Sequence, residues 1–359
     1  MTVAQIEEKL LTYVDPYVNQ DLLSAKVVKG IHVTDRLITI DLVMGYPCQG
    51  FQDELRQHLI TLLADLTTCD VKINIQSQIV THVGQRGIKA LPKIKNIIAI
   101  ASGKGGVGKS TTAVNLALAL SKEGARVGIL DADIYGPSQP LMLGVTTTPE
   151  LKDKKMLMPI IRHGIQSMSI GYLIDESAPM VWRGPMVSMA LQQLLNDTQW
   201  DNLDYLIVDL PPGTGDIQLT LAQKIPVSAA VIVTTPQDLA LLDARRAYEM
   251  FQKVNVPVLG VVENMGIHVC SQCGHAEHIF GEGGGNRLAQ QYHLQLLGSL
   301  PLDMNIRAET DSGTPTVALN PESKNSKIYR DIARHVAAKL SLQAQDYSHK
   351  FPSIVIQNN

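Results

Sequence analysis

Apolar runs of strand length alternate with helical stripes along most of this chain. Residues 96–101, 126–130, 205–208, 230–234 and 258–262 are near-continuous apolar segments. Such runs suit parallel strands covered on both faces. Residues 111–120 and 238–254 read as helices between them. Residues 327–342 read as a closing helix, with Ile328, Ile332, Ala333, Val336, Ala337 and Leu340 on one stripe. Strands and helices in alternation predict an α/β fold, a mostly parallel sheet with helices on both faces, over residues 96–343. Residues 344–359 read as a loose tail.

The first 82 residues carry a smaller and more mixed pattern. Val3, Ile6, Leu10, Tyr13 and Val14 have helical spacing. Val27, Val28 and residues 31–33 lead through Asp35-Arg36, a hairpin turn, into the alternating run 37–43. Residues 52–66 put Leu55, Leu59, Leu62, Leu63 and Leu66 on one helical stripe, and 71–75 alternate again. Residues 1–82 are thus expected to form a separate small α/β module. Gly84, Gly87 and Pro92, with Arg86, Lys89, Lys93 and Lys95, mark 83–95 as a linker.

Composition narrows the classes. A chain of 359 residues admits one large domain or two unequal ones. A net charge of −3 gives no electrostatic case for nucleic acid, and 4% aromatic residues supply no stacking platform for single strands. The longest apolar runs, such as 228–233, fall far short of a bilayer span. The first ten residues are acidic and amphipathic, unlike a secretory or transit signal. The expectation is a soluble cytoplasmic protein that engages neither membrane nor nucleic acid. There, Cys48, Cys69, Cys270 and Cys273 serve as thiols or metal ligands rather than disulfides.

The chemistry begins at Gly103-Lys104-Gly105-Gly106-Val107-Gly108-Lys109-Ser110. A strand precedes this loop and a helix beginning at Thr111 follows, the context a phosphate-binding loop requires. Its glycines let backbone N–H groups turn toward phosphate oxygens, and the helix end adds partial positive charge. Lys109 is placed to reach the β- and γ-phosphates of ATP, and Ser110 to ligate Mg²⁺. Asp209 ends an apolar strand before Leu210-Pro211-Pro212-Gly213-Thr214-Gly215-Asp216. A carboxylate there holds Mg²⁺ through water, and the loop after it is able to sense the γ-phosphate. Asp131 and Asp133 end the strand before it, where two aspartates also cap turns.

A second feature is His268-Val269-Cys270-Ser271-Gln272-Cys273-Gly274-His275-Ala276-Glu277-His278. Two thiolates two residues apart can grip one soft metal centre. Four readings stand on spacing alone. Two copies of the chain pool four thiolates around a [4Fe–4S] cluster. Or His268, His275 or His278 completes a zinc site within one chain. Or the pair is a redox dithiol, or two structural thiols.

The loop resembles the deviant class of P-loop ATPases in its second lysine. The resemblance implies that Lys104 reaches the nucleotide of a second subunit, in a homodimer with two ATP molecules at the interface. It also implies that Asp133 orients the attacking water and that Asn264, in Glu263-Asn264-Met265, reads adenine.

The larger segment as a whole is similar to the Mrp/ApbC family of P-loop ATPases that carry iron–sulfur clusters. The matching residues are the loop 103–110, Asp131 to Ser138, Trp182-Arg183-Gly184-Pro185, Asp209 to Asp216, Glu263-Asn264-Met265, the Cys270/Cys273 pair, Phe280-Gly281 and Gly283-Gly284-Gly285. The first module is similar, more loosely, to the small domain of iron–sulfur targeting factors. Cys48 falls where some of those relatives place a reactive cysteine, although a core thiol is the reading kept here, and Cys69 reads as packing. The resemblance implies a homodimeric ATPase that receives a [4Fe–4S] cluster from an upstream donor on Cys270 and Cys273 and passes it to apoproteins. The alternatives are a ParA/MinD-like positioning ATPase and a zinc or nickel metallochaperone NTPase. The cysteine pair argues against the first, and the nearby histidines permit the second.

Overall fold

The computed structural model describes residues 2–66, 69–85, 88, 90–153, 155–174 and 184–346. In the first segment, α1 (Val3–Leu10) and α2 (Gln52–Ala64) pack against a three-stranded sheet of β1 (Val28–Val33), β2 (Leu37–Met44) and β3 (Asp70–Ser77). β1 and β2 are antiparallel, β2 and β3 parallel. Alternation in β2 buries Ile38, Ile40, Leu42 and Met44 on one face, while α2 buries Leu55, Leu59 and Leu63.

The larger segment is built on a nine-stranded sheet. Its principal elements are β4 (Ile94–Ala101), α3 (Lys109–Lys122), β5 (Val127–Asp131), β6 (Ile160–Arg162), β7 (Ile165–Ser169), α4 (Gly184–Asp197), β8 (Leu203–Asp209), α5 (Asp216–Lys224), β9 (Ala229–Thr234), α6 (Asp238–Lys253), β10 (Val258–Val269), β11 (Ala276–Glu277), α7 (Gly284–Gln291), β12 (Gln295–Leu302), α8 (Met304–Asp311) and α9 (Lys324–Ser341). The strand order is β6-β7-β5-β8-β4-β9-β10-β11, with β12 also beside β10. All these pairings are parallel except β6 with β7 and β10 with β11.

The period-two alternation of a strand divides the core between two faces. Ile98 and Ile100 of β4 join α3 and α9 in one apolar cluster; Ile97 and Ala99 join α4, α5 and α6 in the other. This explains the continuous apolar runs, and every residue of β8 and β9 is buried. The closing helix α9 buries Tyr329, Ile332, Ala333, Val336, Ala337 and Leu340, so its apolar stripe is a packing face.

The small module is docked on the outer side of α3 and α9. Glu123, the C-cap of α3, accepts hydrogen bonds from Arg330 Nε (2.7 Å), Arg334 Nη2 (3.0 Å) and the Gly50 backbone N–H (2.9 Å). Arg334 also donates to Tyr17 Oη at 2.6 Å, and the Tyr17 ring meets the His335 ring edge-on at 5.0 Å. One apolar cluster runs without a break from the module into α3 and α9. Residues read as linker and tail meet here as well. Val83 N–H donates to the Ala344 carbonyl and Asp346 N–H to the Thr81 carbonyl, each at 2.9 Å, while Lys95 lies within β4.

Candidate nucleotide and thiol sites

The phosphate loop runs from the end of β4 into α3. Gly108, the N-cap of α3, has φ +79°, and a Cβ there would lie 2.1 Å from Asn264 Nδ2. At Gly103 a Cβ would lie 2.0 Å from the Asp243 carbonyl oxygen of α6. Both positions therefore exclude a side chain. The loop borders a cavity of about 260 Å³ lined by Lys104, Lys109, Ser110, Thr111, Asp133 and Pro212. Gly105 and Gly106 are exposed at its rim.

β5, β8 and β4 end in register, which brings their polar tips together: Asp209 pairs with both Asp131 and Ile100. Lys109 and Asp209 form a buried ion pair, and Lys109 Nζ also donates to Ser110 Oγ at 3.0 Å. The other Asp209 oxygen accepts from Gln139 Nε2 at 2.9 Å. The loop after Asp209 leans on the phosphate loop, with Gly213 N–H donating to the Ser102 carbonyl at 2.9 Å.

The two aspartates at the end of β5 differ. Asp131 is fully buried and accepts from the backbone N–H groups of Asp133, Ser138 and Gln139 and from Ser169 Oγ, all at 3.0–3.1 Å. It organises its own turn. Burial, and then the neighbouring Asp209 carboxylate, push its pKa up to about 7. Asp133 lines the cavity, is only partly buried, and accepts from the Gly136 N–H at 3.3 Å. Burial raises its pKa, with Lys109 opposing. Of the two, Asp133 is the one able to meet a water in the cavity.

Asn264 is buried and faces the loop itself. Its Nδ2 donates to the Val107 carbonyl at 2.8 Å, and its Oδ1 accepts from the Met265 N–H at 3.0 Å. One N–H and one lone pair remain for a further partner such as adenine. Arg183 and Trp182 lie outside the described residues.

The cysteine pair occupies the turn between β10 and β11. Cys270 N–H donates to the His275 carbonyl and Gly274 N–H to the Cys270 carbonyl, each at 2.9 Å. Backbone N–H groups of Cys273, first, and Gln272 hold the Cys270 thiol below its ordinary pKa. That favours the thiolate, the form that binds metal. Cys273 is exposed and Cys270 half-buried. Two of the nearby histidines are tied to backbone through Nδ1: His268 Nδ1–H donates to the Leu302 carbonyl at 3.0 Å and His278 Nδ1–H to the Gly266 carbonyl at 2.7 Å. Among the described residues no three His, Cys, Asp or Glu side chains are grouped to hold a metal ion. The pair also sits on a hairpin rather than at a helix start, so the redox-dithiol reading lacks its helix.

Cys48 is fully buried, with Sγ 3.5 Å from Ser77 Oγ, and burial pushes its thiol up, as suits a core residue. Cys69 is half-buried, packs against the module's core and has its Sγ 3.5 Å from the Asp35 carbonyl.

Sequence reasoning gave no role to Gln139 or Glu263. The Glu263 carboxylate accepts from the Gly285 N–H at 2.6 Å and from Ser299 Oγ at 3.1 Å, which ties β10 to α7 and β12. Neither residue type is a motif signal alone; each becomes visible only when its partners are placed.

The profile of the NUBPL iron-transfer P-loop NTPases matches residues 93–337. The chain belongs to that family. A second profile, described as an iron–sulfur cluster assembly protein, matches residues 3–75. The chain is 62% identical over 264 residues to an iron–sulfur cluster carrier protein of Pseudomonas fragi, covering 73% of this chain and 92% of the relative. It is 49% identical over 344 residues to the iron–sulfur cluster carrier protein of Escherichia coli strain K12, covering 95% and 93%. In fold it is similar to a nucleotide-binding protein from Archaeoglobus fulgidus solved in complex with ADP, at a TM-score of 0.54 and 38% identity over 62% of this chain and 87% of that one. No helix among the described residues is long and apolar enough to cross a membrane.

Proposed function

We propose that this protein is an ATP-hydrolysing carrier that takes a [4Fe–4S] cluster as cargo on Cys270 and Cys273 of two copies and passes it to apoproteins. The observation that carries this reading is the hairpin's ligand count: two thiols, one exposed, with no third His, Cys, Asp or Glu grouped with them to hold a metal ion among the described residues. A second copy of the same hairpin supplies the four thiolates such a cluster needs. A cluster held at a subunit seam is partly open to solvent, and so transferable to a client and loadable by an upstream donor. The partners are then a second copy, the donor and the clients, in the cytoplasm.

At the nucleotide, the backbone from Gly103 to Ser110, with Thr111, cradles the phosphates. Lys109 leaves Asp209 to meet the β- and γ-oxygens. Ser110, and Asp209 through water, would hold Mg²⁺, which would supply positive charge to those oxygens. Asp133 orients the attacking water, Asn264 contacts adenine, and Lys104 crosses to the partner's nucleotide.

Anaerobic reconstitution with iron and sulfide tests the cargo. About four iron and four sulfide per dimer are expected, absent in Cys270→Ser/Cys273→Ser. Binding of iron without sulfide, or one zinc per chain, would overturn the reading. Lys109→Ala tests the ATPase role: it is expected to load cluster and fail to deliver it.

A further inference from the structure

The strand that ends at the thiol hairpin also grips the phosphate loop. β10 pairs with β12 up to Glu263, which faces Ser299, with one register shift between Val261 and Val262, and resumes at Ile267, which faces Pro301. Four steps along β10 thus match two along β12, leaving a bulge at residues 264–266. Met265, at its centre, has φ +58°, a left-handed conformation that a long unbranched side chain rarely adopts. The bulge is contacted from two directions. On one side Asn264 Nδ2 donates to the Val107 carbonyl of the phosphate loop at 2.8 Å. On the other, the Gly266 carbonyl accepts from His278 Nδ1–H at 2.7 Å, just past β11. Cys270 and Cys273 lie between Gly266 and His278 in the chain, so that bond closes the base of the segment that carries both thiols. Glu263 pins the start of the bulge to α7 and β12.

We infer that residues 264–266 transmit the state of the phosphate loop to the cysteine pair, with His278 as the positioning residue that delivers it. The inference rests on the carrier reading only in naming what the thiols hold. The second arrangement we infer is a flattened strand, in which Met265 leaves the left-handed region. A shift of the Val107 carbonyl on nucleotide binding acts on Asn264 directly. Flattening moves the Gly266 carbonyl, which reorients the hairpin through His278. Such a two-state element, biased from both ends, is the physical requirement for coupling between sites.

The test uses cluster-free full-length protein under anaerobic, reducing conditions. The rate at which a maleimide labels Cys270 and Cys273 is measured with no nucleotide, with ADP and with a non-hydrolysable ATP analogue. Nucleotide is expected to change the wild-type rate several-fold. His278→Ala is expected to lose that response with nucleotide affinity unchanged, and His278→Asn, which keeps a donor near the Nδ1 position, to regain it. Met265→Gly, for which positive φ carries no strain, is expected to shift the rate measured without nucleotide. A wild-type rate indifferent to nucleotide, or a His278→Ala protein that responds like wild type, would overturn the inference. Iron and sulfide content is measured on the same preparations. If they reconstitute but do not respond, the coupling fails and the carrier reading stands; if they respond but hold no sulfide, the reverse holds.

Discussion

Gln139 and Asp209 are joined by a 2.9 Å hydrogen bond from the glutamine amide to the carboxylate oxygen that Lys109 does not use. The same amide reaches the Ser110 carbonyl at 3.3 Å, so Gln139 bridges the two residues proposed to hold Mg²⁺. Partners that orient metal ligands in this way typically account for about 10–100-fold in affinity or activity. Gln139→Leu is therefore expected to lower ATPase activity by about that factor at limiting Mg²⁺ and to recover part of it at saturating Mg²⁺. A magnesium titration of turnover checks this; an equal loss at all Mg²⁺ concentrations would remove Gln139 from this role.

The Lys109–Asp209 pair predicts a reversal between stability and activity. Both side chains are buried, so removing one leaves an uncompensated charge. Lys109→Met is expected to destabilise the protein by about 3–5 kcal/mol, while Lys109→Met/Asp209→Asn loses much less, because no unpaired charge remains. All of these variants are expected to be inactive. Urea unfolding of Lys109→Met, Asp209→Asn and the double variant gives the coupling energy directly.

How far the sequence reached follows from the range of each contact. The phosphate loop is contiguous, and its place between a strand and a helix was readable from residues 103–110. Asp209 was readable because it ends a continuous apolar run. Gln139 was not, since its contact with Asp209 spans 70 residues and glutamine marks no motif. The core strands announced themselves by burial on both faces, whereas β12, with Gly298 and Pro301 inside it and several residues only partly buried, gave no strand signal. The docking of the first module through Glu123 was likewise hidden, because its arginines lie 207 and 211 residues away. Residues 83–95 read as a linker from glycine, proline and basic residues alone, a composition that says nothing of what holds it. The backbone pairing of Thr81 and Val83 with residues 344–346 shows that its start is held by the far end of the chain.

Glu123 fastens the small module to the ATPase helix α3. It is buried and serves Arg330, Arg334 and the Gly50 N–H together. Truncating one partner of such a buried network typically destabilises by about 3–5 kcal/mol. Glu123→Ala is expected to do so and, because its partners include the module's backbone, to release residues 1–82 from the larger segment. Limited proteolysis should then cut between the two segments much faster than in wild type, while the ATPase segment itself resists. Equal protection in the variant would show that the apolar contacts alone hold the module.

His82 makes the same junction sensitive to acid. It is buried, with Nδ1 3.0 Å from Asn96 Oδ1 and its backbone N–H on that same oxygen at 3.1 Å. Burial holds its pKa below the ordinary histidine value, with the Asn96 hydrogen bond opposing. The unfolded chain therefore binds the proton more readily than the native one. The stability this contributes is complete above the unfolded value of about 6.5 and is lost as pH falls from there through the lower native value. One proton limits the slope to about 1.4 kcal/mol per pH unit. His335, also depressed by burial, adds to the same slope, with Asp331 and Asp15 opposing and Arg334 and Lys339 reinforcing. His82→Asn removes one of these protons, so its unfolding free energy is expected to fall less steeply than wild type between about pH 6.5 and 5. Parallel pH profiles for the two proteins would mean that His82 takes up its proton without disturbing the junction.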